Sequence, residues 1–158
     1  MKKKAVKNAI TIVCILLLIW GLRVAILCVD NPDKRYFGDE YYEILYPTSI
    51  SDYITATKIL KTADNALSTI TDDETAHKEF GELGFLCSTD DGAVGESHKL
   101  RLVAAHFSDS KGYVWVKYSS ETYDKDGEIL SGSWKILARW EVEKKEDQWV
   151  VTSENEHP

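Results

Sequence analysis

The sequence contains little cysteine and no acidic residue near its start. It has three cysteines among 158 residues, and only Cys87 lies after residue 28, which excludes a small fold held together by several disulfides. No Asp or Glu precedes residue 30, whereas residues 30–158 carry 14 Lys and Arg against 26 Asp and Glu, a net charge of −12. This charge argues against a nucleic-acid partner, because phosphate backbones bind a basic face.

One long hydrophobic run lies near the N-terminus. Residues 9–29 hold 18 apolar side chains and a single charge, Arg23, and four lysines precede them. Twenty-one helical residues span about 30 Å, the thickness of the hydrocarbon core of a bilayer. Because the lysines lie before the run and acidic residues dominate after it, the positive-inside rule predicts a cytoplasmic N-terminus. The run therefore predicts a single-pass protein of the cell membrane with its C-terminal part outside the cytoplasm.

Three fates of this run are compatible with the sequence. An uncleaved signal anchor is favoured, because residues 23–28 offer no pair of small residues for a signal peptidase. A cleaved signal peptide is the first alternative. A lipoprotein acylated on Cys28 is the second, although Leu27 stands where a small residue is expected. The anchor predicts a cytoplasmic tail at 1–8, a membrane span at 9–29, a linker at 30–50 and an extracytoplasmic domain at 51–158.

The outer domain begins with two predicted helices. Ser51 and Asp52 supply N-cap chemistry for a first helix at 51–70, and a second, shorter helix starts at residues 71–73 and stops at Gly84. The first helix has apolar residues at helical spacing, which predicts a buried face made of Ile54, Ile59, Leu60, Ala63, Ala66, Leu67 and Ile70.

From residue 99 onward the apolar pattern has a period of two, which indicates strands. Turn residues at 109–112 and 124–127 separate the first three strands, and a last strand covers 149–153. On the first strand one face holds Leu100, Leu102, Ala104 and His106. On the third strand one face holds Trp134, Ile136, Ala138, Trp140 and Val142, with a bend at residues 131–133. We expect Trp134 and Trp140 to be buried together with Leu67.

These elements predict an α+β fold in which two helices pack on a curved antiparallel sheet of about four strands. The helix order and the meander ending in Trp149-Val150-Val151-Thr152, with Glu154 and Glu156-His157-Pro158 after it, resemble the nuclear transport factor 2-like (cystatin-like) roll. This resemblance covers residues 51–158. It implies a cone-like roll with a concave sheet and a pocket, and it implies no single activity, since the superfamily includes isomerases, dehydratases, ligand binders and assembly domains. One branch shares the layout of short tail, membrane helix and outer roll, as in a scaffold subunit of type IV secretion machines.

The residues with chemistry to offer are few. No catalytic constellation and no metal-binding spacing is present, and no cofactor motif occurs. The isomerases of the superfamily use an Asp base within the sheet, whereas the Asp residues of this sheet region fall in predicted turns, a departure that puts isomerase chemistry in doubt. The side chains best suited to line a ligand pocket are His106, Trp115, Tyr118 and Arg139.

The sequence therefore predicts a non-catalytic, membrane-anchored binding or assembly domain of the bacterial cell envelope. Its partners would be the membrane, through residues 9–29, and a basic envelope protein or a second copy of the chain. A small-ligand-binding or sensing domain that uses the pocket of the roll is one alternative. An enzyme of the same superfamily is the other.

Overall fold

The computed structural model describes residues 2–28 and 32–157, except for the side chains of residues 2–7, 9, 23 and 26–28. The chain divides into two compact units, Met1–Tyr46 and Pro47–Pro158. The predicted boundary between residues 50 and 51 thus lies four residues inside the second unit.

The described part of the first unit is almost entirely helical. Its elements are α1 at Lys2–Cys28, α2 at Pro32–Phe37 and a first 3₁₀ helix at Gly38–Leu45. Residues 32–45, for which the sequence predicts a linker, are therefore helical. Their apolar side chains explain the difference, because Phe37, Tyr41 and Ile44 are buried and stabilise ordered structure there.

No helix within the described residues is both long enough and apolar enough to cross a membrane. The predicted span at 9–29 includes Val29 and the side chains of Ala9, Arg23 and residues 26–28, which all lie outside the described part of the chain.

The second unit begins with helix α3, Ile50–Leu67. The Ser49 hydroxyl caps it by accepting a hydrogen bond from the Asp52 amide at 3.1 Å. Ile54 and Ile70, which were predicted on its buried face, are exposed: Ile54 lies on the opposite side of the helix, and Ile70 follows its end. The buried face consists of Ala56, Ile59, Ala63, Ala66 and Leu67.

Helix α4, Asp73–Phe80, continues into a second 3₁₀ helix at Gly81–Leu86. Asp72 caps α4, because its carboxylate accepts a hydrogen bond from the Thr75 amide at 2.9 Å. The α conformation stops earlier than the predicted residue 84, since Gly81 has a φ of 60° that ends the helix.

Gly84 permits the second 3₁₀ helix to touch α4. A Cβ atom at residue 84 would lie 2.8 Å from the carbonyl carbon of Ala76, so a side chain there would force the two backbones apart. This close approach buries Leu83 and Leu86 in the core. The predicted stop residue is thus a packing residue.

The sheet confirms the predicted α+β class and the predicted order. It is a four-stranded antiparallel meander, and neighbours in sequence are neighbours in space. At the predicted turn after β2, Asp124 Oδ1 accepts the amides of Asp126 and Glu128 at 2.9 Å, and Gly127 has a φ of 83°. The strands are β1 at Gly95–Ser108, β2 at Lys111–Tyr123, β3 at Ile129–Lys145 and β4 at Gln148–His157.

The sheet has a helix-side face, which packs on α3 and the second 3₁₀ helix, and a far face on its other side. Leu67 and Trp140 are buried in the same core, as predicted. The strand residues of this core lie on the helix-side face: Ala105, Val114, Val116, Tyr118, Ile136, Ala138, Trp140, Val142 and Val151, with Leu100, Leu102 and Phe107 packed against them.

A bulge in β1 changes which residues face the helices. Leu102 pairs with Val116 and Ala104 pairs with Trp115, so Val103 has no partner on β2. The extra residue inverts the alternation beyond it. Ala104 and His106 therefore lie on the far face, and the prediction that they share a face with Leu100 and Leu102 is wrong.

A second bulge, in β3, places Trp134 on the face opposite to the predicted one. Tyr118 pairs with Ile136 and Ser120 pairs with Ser133, so Trp134 and Lys135 together oppose one residue of β2. Lys135 has a φ of 60°, which accommodates the extra residue. Trp134 consequently lies on the far face and is 57% exposed, and the prediction that it is buried beside Trp140 is wrong.

Candidate functional site

The four predicted ligand-binding residues do not line one pocket. Tyr118 lies on the helix-side face of β2, whereas Trp115 and Arg139 are direct partners on the far face of β2 and β3. His106, displaced by the first bulge, also lies on the far face. The structure thus brings three of the four to one side of the sheet and leaves Tyr118 on the other.

Tyr113 connects two of the far-face residues. The Arg139 guanidinium lies 5.4 Å from the centre of its ring, and the His106 ring lies 5.9 Å from it. Arg139 Nη1 is also 3.1 Å from Glu141 Oε1. Arg139 is only 11% exposed and Trp115 is fully buried, while His106 is 59% exposed and 3.8 Å from the Asp52 carboxylate. Only His106 of this group is well exposed to solvent.

Tyr118 forms a buried acid–phenol pair on the helix-side face. Its hydroxyl donates a hydrogen bond of 2.5 Å to Glu156 Oε2 on β4. Burial raises the pKa of Glu156; the Tyr118 hydrogen bond opposes this shift and the charge of Glu154 adds to it. Burial, followed by the bond to Glu156, also raises the pKa of Tyr118. The hydrogen bond links β2 to β4 across β3, and it keeps the phenol protonated.

A cavity of about 200 Å³ opens on the helix-side face, between the second 3₁₀ helix and the strands. The Asp90 carboxylate accepts hydrogen bonds from three hydroxyl groups of the cavity lining. The donors are Thr122 at 2.6 Å, Ser131, and Ser88 at 3.4 Å. The bonds from Ser131 and then Thr122 hold the pKa of Asp90 below its usual value, so the carboxylate stays ionised. The polar side chains of its lining are Ser88, Glu96, Tyr118, Ser120, Glu121, Thr122, Ser131 and Ser133.

His98 connects β1 to α3 through two carboxylates. Its Nδ1 is 2.8 Å from Glu96 Oε2, and its Nε2 is 2.9 Å from Asp64 Oδ1. Burial opposes protonation of His98, but these two hydrogen bonds outweigh it and raise its pKa above 6.5. The sequence analysis missed this network. The available signal was the spacing of Glu96 and His98, which places both on one face of a strand.

Within the described residues, no group of three or more His, Cys, Asp or Glu side chains could hold a metal ion. No protein-family model matches the chain, and no curated protein matches it. The resemblance to the nuclear transport factor 2-like roll thus stays a prediction, and the geometry of the chain itself has to carry the functional inference.

The far face carries an aromatic side chain that is exposed and yet fixed in place. The Trp134 indole N–H donates to Glu121 Oε1 at 2.7 Å, and the Tyr123 hydroxyl donates to the other carboxylate oxygen of Glu121. The ring lies over Gly132, where a Cβ atom would come within 2.7 Å of it. The Tyr123 bond and then the Trp134 bond keep the pKa of Glu121 below its usual value, so it remains charged. We call Trp134, Glu121, Tyr123 and Gly132 the tryptophan platform.

A hollow of about 220 Å³ lies beside the tryptophan platform. It is lined by Ser97, Lys99 and Ser119 in addition to Glu121 and Trp134. An exposed tryptophan of fixed orientation loses little conformational freedom when a partner covers it, and tryptophan is enriched among the residues that dominate binding energies. The arrangement suits recognition of a partner surface.

Proposed function

We propose that the chain is a non-catalytic binding or assembly domain of the bacterial cell envelope, held at the membrane by its N-terminal helix and folded as a nuclear transport factor 2-like roll. It engages its partner through the tryptophan platform. The observation that carries this proposal is Trp134, which is 57% exposed while its indole N–H is bonded to Glu121 and its ring lies on Gly132.

Membrane attachment is supported by the first helix. Its described large apolar side chains, from Ile10 to Leu22, are exposed, and they occupy all sides of the helix. A helix that is apolar all round is stable where lipid or protein covers it. The lysines before residue 9 and the single charge in residues 9–29 support an anchor with a cytoplasmic N-terminus.

The charge of the chain supports a basic partner. Residues 30–158 have a net charge of −12, and Glu121 places an ionised carboxylate next to the exposed Trp134 ring. An arginine or lysine of a partner would contact both the ring face and the carboxylate. Confinement to the same membrane raises the effective concentration of such a partner, so a small interface is sufficient. A second copy of the chain is the alternative partner.

The test is photo-crosslinking in the full-length chain expressed in membranes. A photoreactive residue replaces Ser97, which lines the hollow beside Trp134. We expect irradiation to yield an adduct heavier than the 17.9 kDa chain, and an adduct of twice this mass identifies a second copy.

Two variants make this experiment specific. Trp134→Ala should remove most of the adduct. Tyr53→Ala, which removes an aromatic side chain that is 58% exposed on α3, should leave it unchanged. Equal adduct yields from the two variants, or no adduct with any of them, would contradict the proposal.

Binding of a small polar ligand is the second candidate function. The helix-side cavity of about 200 Å³ supports it, because hydroxyl groups and the Glu96 carboxylate line that cavity. Ser133→Leu would place a larger side chain in this cavity, at a residue that neither lines the hollow beside Trp134 nor bonds to Asp90. Loss of the cellular phenotype in Ser133→Leu, with Trp134→Ala silent, would favour this function over partner binding.

A further inference from the structure

Four basic side chains gather on the far face of this acidic chain. Arg101 of β1 and Lys117 of β2 are direct cross-strand partners. Lys99 lies two residues before Arg101 on the same face, and Lys135 lies in the bulge of β3, where its amide bonds to the Ser119 hydroxyl at 2.8 Å. We call these four side chains the basic quartet. They line one hollow of about 380 Å³.

The basic quartet has no ionic partner within the described part of the chain. Other strand cations of the domain do: Lys111 lies 3.1 Å from Glu143, for example. Among the residues that the structure describes, no carboxylate is within 4.0 Å of the quartet's charged nitrogens. Glu121 is influenced by one member of the quartet: its hydrogen bonds from Tyr123 and Trp134 lower its pKa most, and the charge of Lys99 lowers it further without forming an ion pair.

Without a bound anion, the repulsion between the four cations of the basic quartet destabilises the fold. Like charges directly opposite one another on neighbouring strands destabilise a sheet, and Arg101 faces Lys117 in this way. Two more cations stand close by on the same face, so each of the four repels the others. An anion with several charges would remove the repulsion and gain charge-assisted hydrogen bonds.

The spacing of the quartet indicates the size of that anion. Neighbouring strands are about 4.8 Å apart, and alternate residues of one strand are about 6.7 Å apart. The quartet spans β1, β2 and β3, so its charges spread over roughly 10 Å by 7 Å. One monovalent ion reaches only part of such an array. Two or three linked phosphate groups reach all of it.

We propose that the basic quartet is a binding site for a multivalent phosphate-bearing anion. It adjoins the tryptophan platform, because Lys99 and Ser119 line both hollows. Arg101 supplies a planar fork for one phosphate, and the three lysines supply point charges for the others. The hollow admits the phosphate chain of a soluble polyphosphate or the headgroup of an anionic phospholipid. The chemistry is the same in both cases, and only the source of the phosphate differs.

The first experiment titrates inorganic tripolyphosphate into the full-length chain in a neutral detergent and measures binding by calorimetry. The test variant is Arg101→Gln with Lys117→Gln. The control variant is Lys125→Gln with Lys145→Gln, which removes the same charge from exposed lysines outside the quartet. We expect the Kd of the test variant to rise at least tenfold, a change of about 1.4 kcal/mol, and the Kd of the control to change less than about threefold.

Thermal unfolding of the same variants is the second measurement, and without ligand it should show no loss of stability in the test variant. Without ligand, the test variant should melt at the same temperature as the parent or higher, because it loses the like-charge pair. With tripolyphosphate, the parent should gain thermal stability and the test variant should not. Equal Kd values in test and control variants, or no binding of tripolyphosphate by the parent, would overturn the proposal. A test variant that melts well below the parent would overturn it too, since the cations would then be structural.

Vesicles distinguish the two sources of phosphate. Phosphatidylglycerol vesicles and neutral phosphatidylcholine vesicles are mixed separately with the parent and with both variants, all of which keep the N-terminal lysines. A loss of binding to phosphatidylglycerol in the test variant alone identifies a lipid headgroup. Binding to phosphatidylglycerol that is the same in all three chains, together with a tenfold loss for tripolyphosphate, identifies a soluble phosphate ligand.

Discussion

Replacement of Trp140 by alanine tests whether the β3 bulge has been placed at the right residue. Trp140 is fully buried and belongs to the core between the sheet and α3. Removing a buried tryptophan costs about 3–5 kcal/mol, because apolar contacts are lost and a cavity remains. Trp140→Phe should cost less. Trp140 Nε1 has no hydrogen-bond partner among the described residues, and phenylalanine removes this unsatisfied donor.

The assay is urea unfolding of the full-length chain. With a slope of about 2 kcal/mol per molar urea, Trp140→Ala should lower the midpoint by roughly 2 M. Trp134→Ala is the matched control: the same substitution six residues earlier on β3 should lower the midpoint by less than about 0.7 M, since it removes one hydrogen bond and little buried surface. A large effect at both Trp134 and Trp140 would refute the bulge, because without the extra residue the two side chains would share the helix-side face.

Three further predictions concern other parts of the chain. Gly84→Ala should destabilise the second unit by about 1–3 kcal/mol, measured by thermal unfolding, because a Cβ would clash with the Ala76 backbone; an unchanged melting temperature would contradict this contact. The raised pKa of His98 means that the folded chain binds this proton more tightly than the unfolded chain. Its contribution to stability is thus complete below pH 6.5 and disappears as the pH rises through the folded pKa; the stability of His98→Gln should lack this step, and an identical pH profile would refute it. Protease added to intact spheroplasts should digest residues beyond 30, and a protected C-terminal domain would contradict the proposed orientation.

Local chemistry made much of the fold predictable. The turn at residues 124–127 needs a positive φ and an acceptor for free amides, and Gly127 and Asp124 supply them. The strand order follows from short turns, because a short connection can only join antiparallel neighbours. The face of the sheet on which each strand residue lies was less predictable. A single extra residue inverts the alternation. No residue type around Val103 indicates it, and the predicted bend at residues 131–133 lies beside the β3 bulge without fixing which residue is extra.

The candidate sites were harder to predict for the same reason. Trp134 fits the apolar pattern of β3 and was assigned to the core, although the bulge places it on the far face. The cations of the basic quartet lie on three strands, so only the register brings them together. For residues 32–45 the sequence predicts a linker, because Pro32 and the many charges are typical of one, whereas Phe37 and Tyr41 are buried there.

The bulges give β2 a special place in the sheet. The unpaired extra residues occur on β1, β3 and β4, and β2 has none in the described register. The alternation of side chains between the two faces is therefore uninterrupted only along β2, and the faces of residues on the other strands follow from their pairing with it. A one-residue insertion into β1, β3 or β4 would add a defect of a kind that these strands already absorb. An insertion near the start of β2 would reverse the faces of the β2 residues that follow it, among them Lys117, Tyr118 and Glu121. In natural variation of this fold, length changes should therefore collect in β1, β3 and β4 and spare β2.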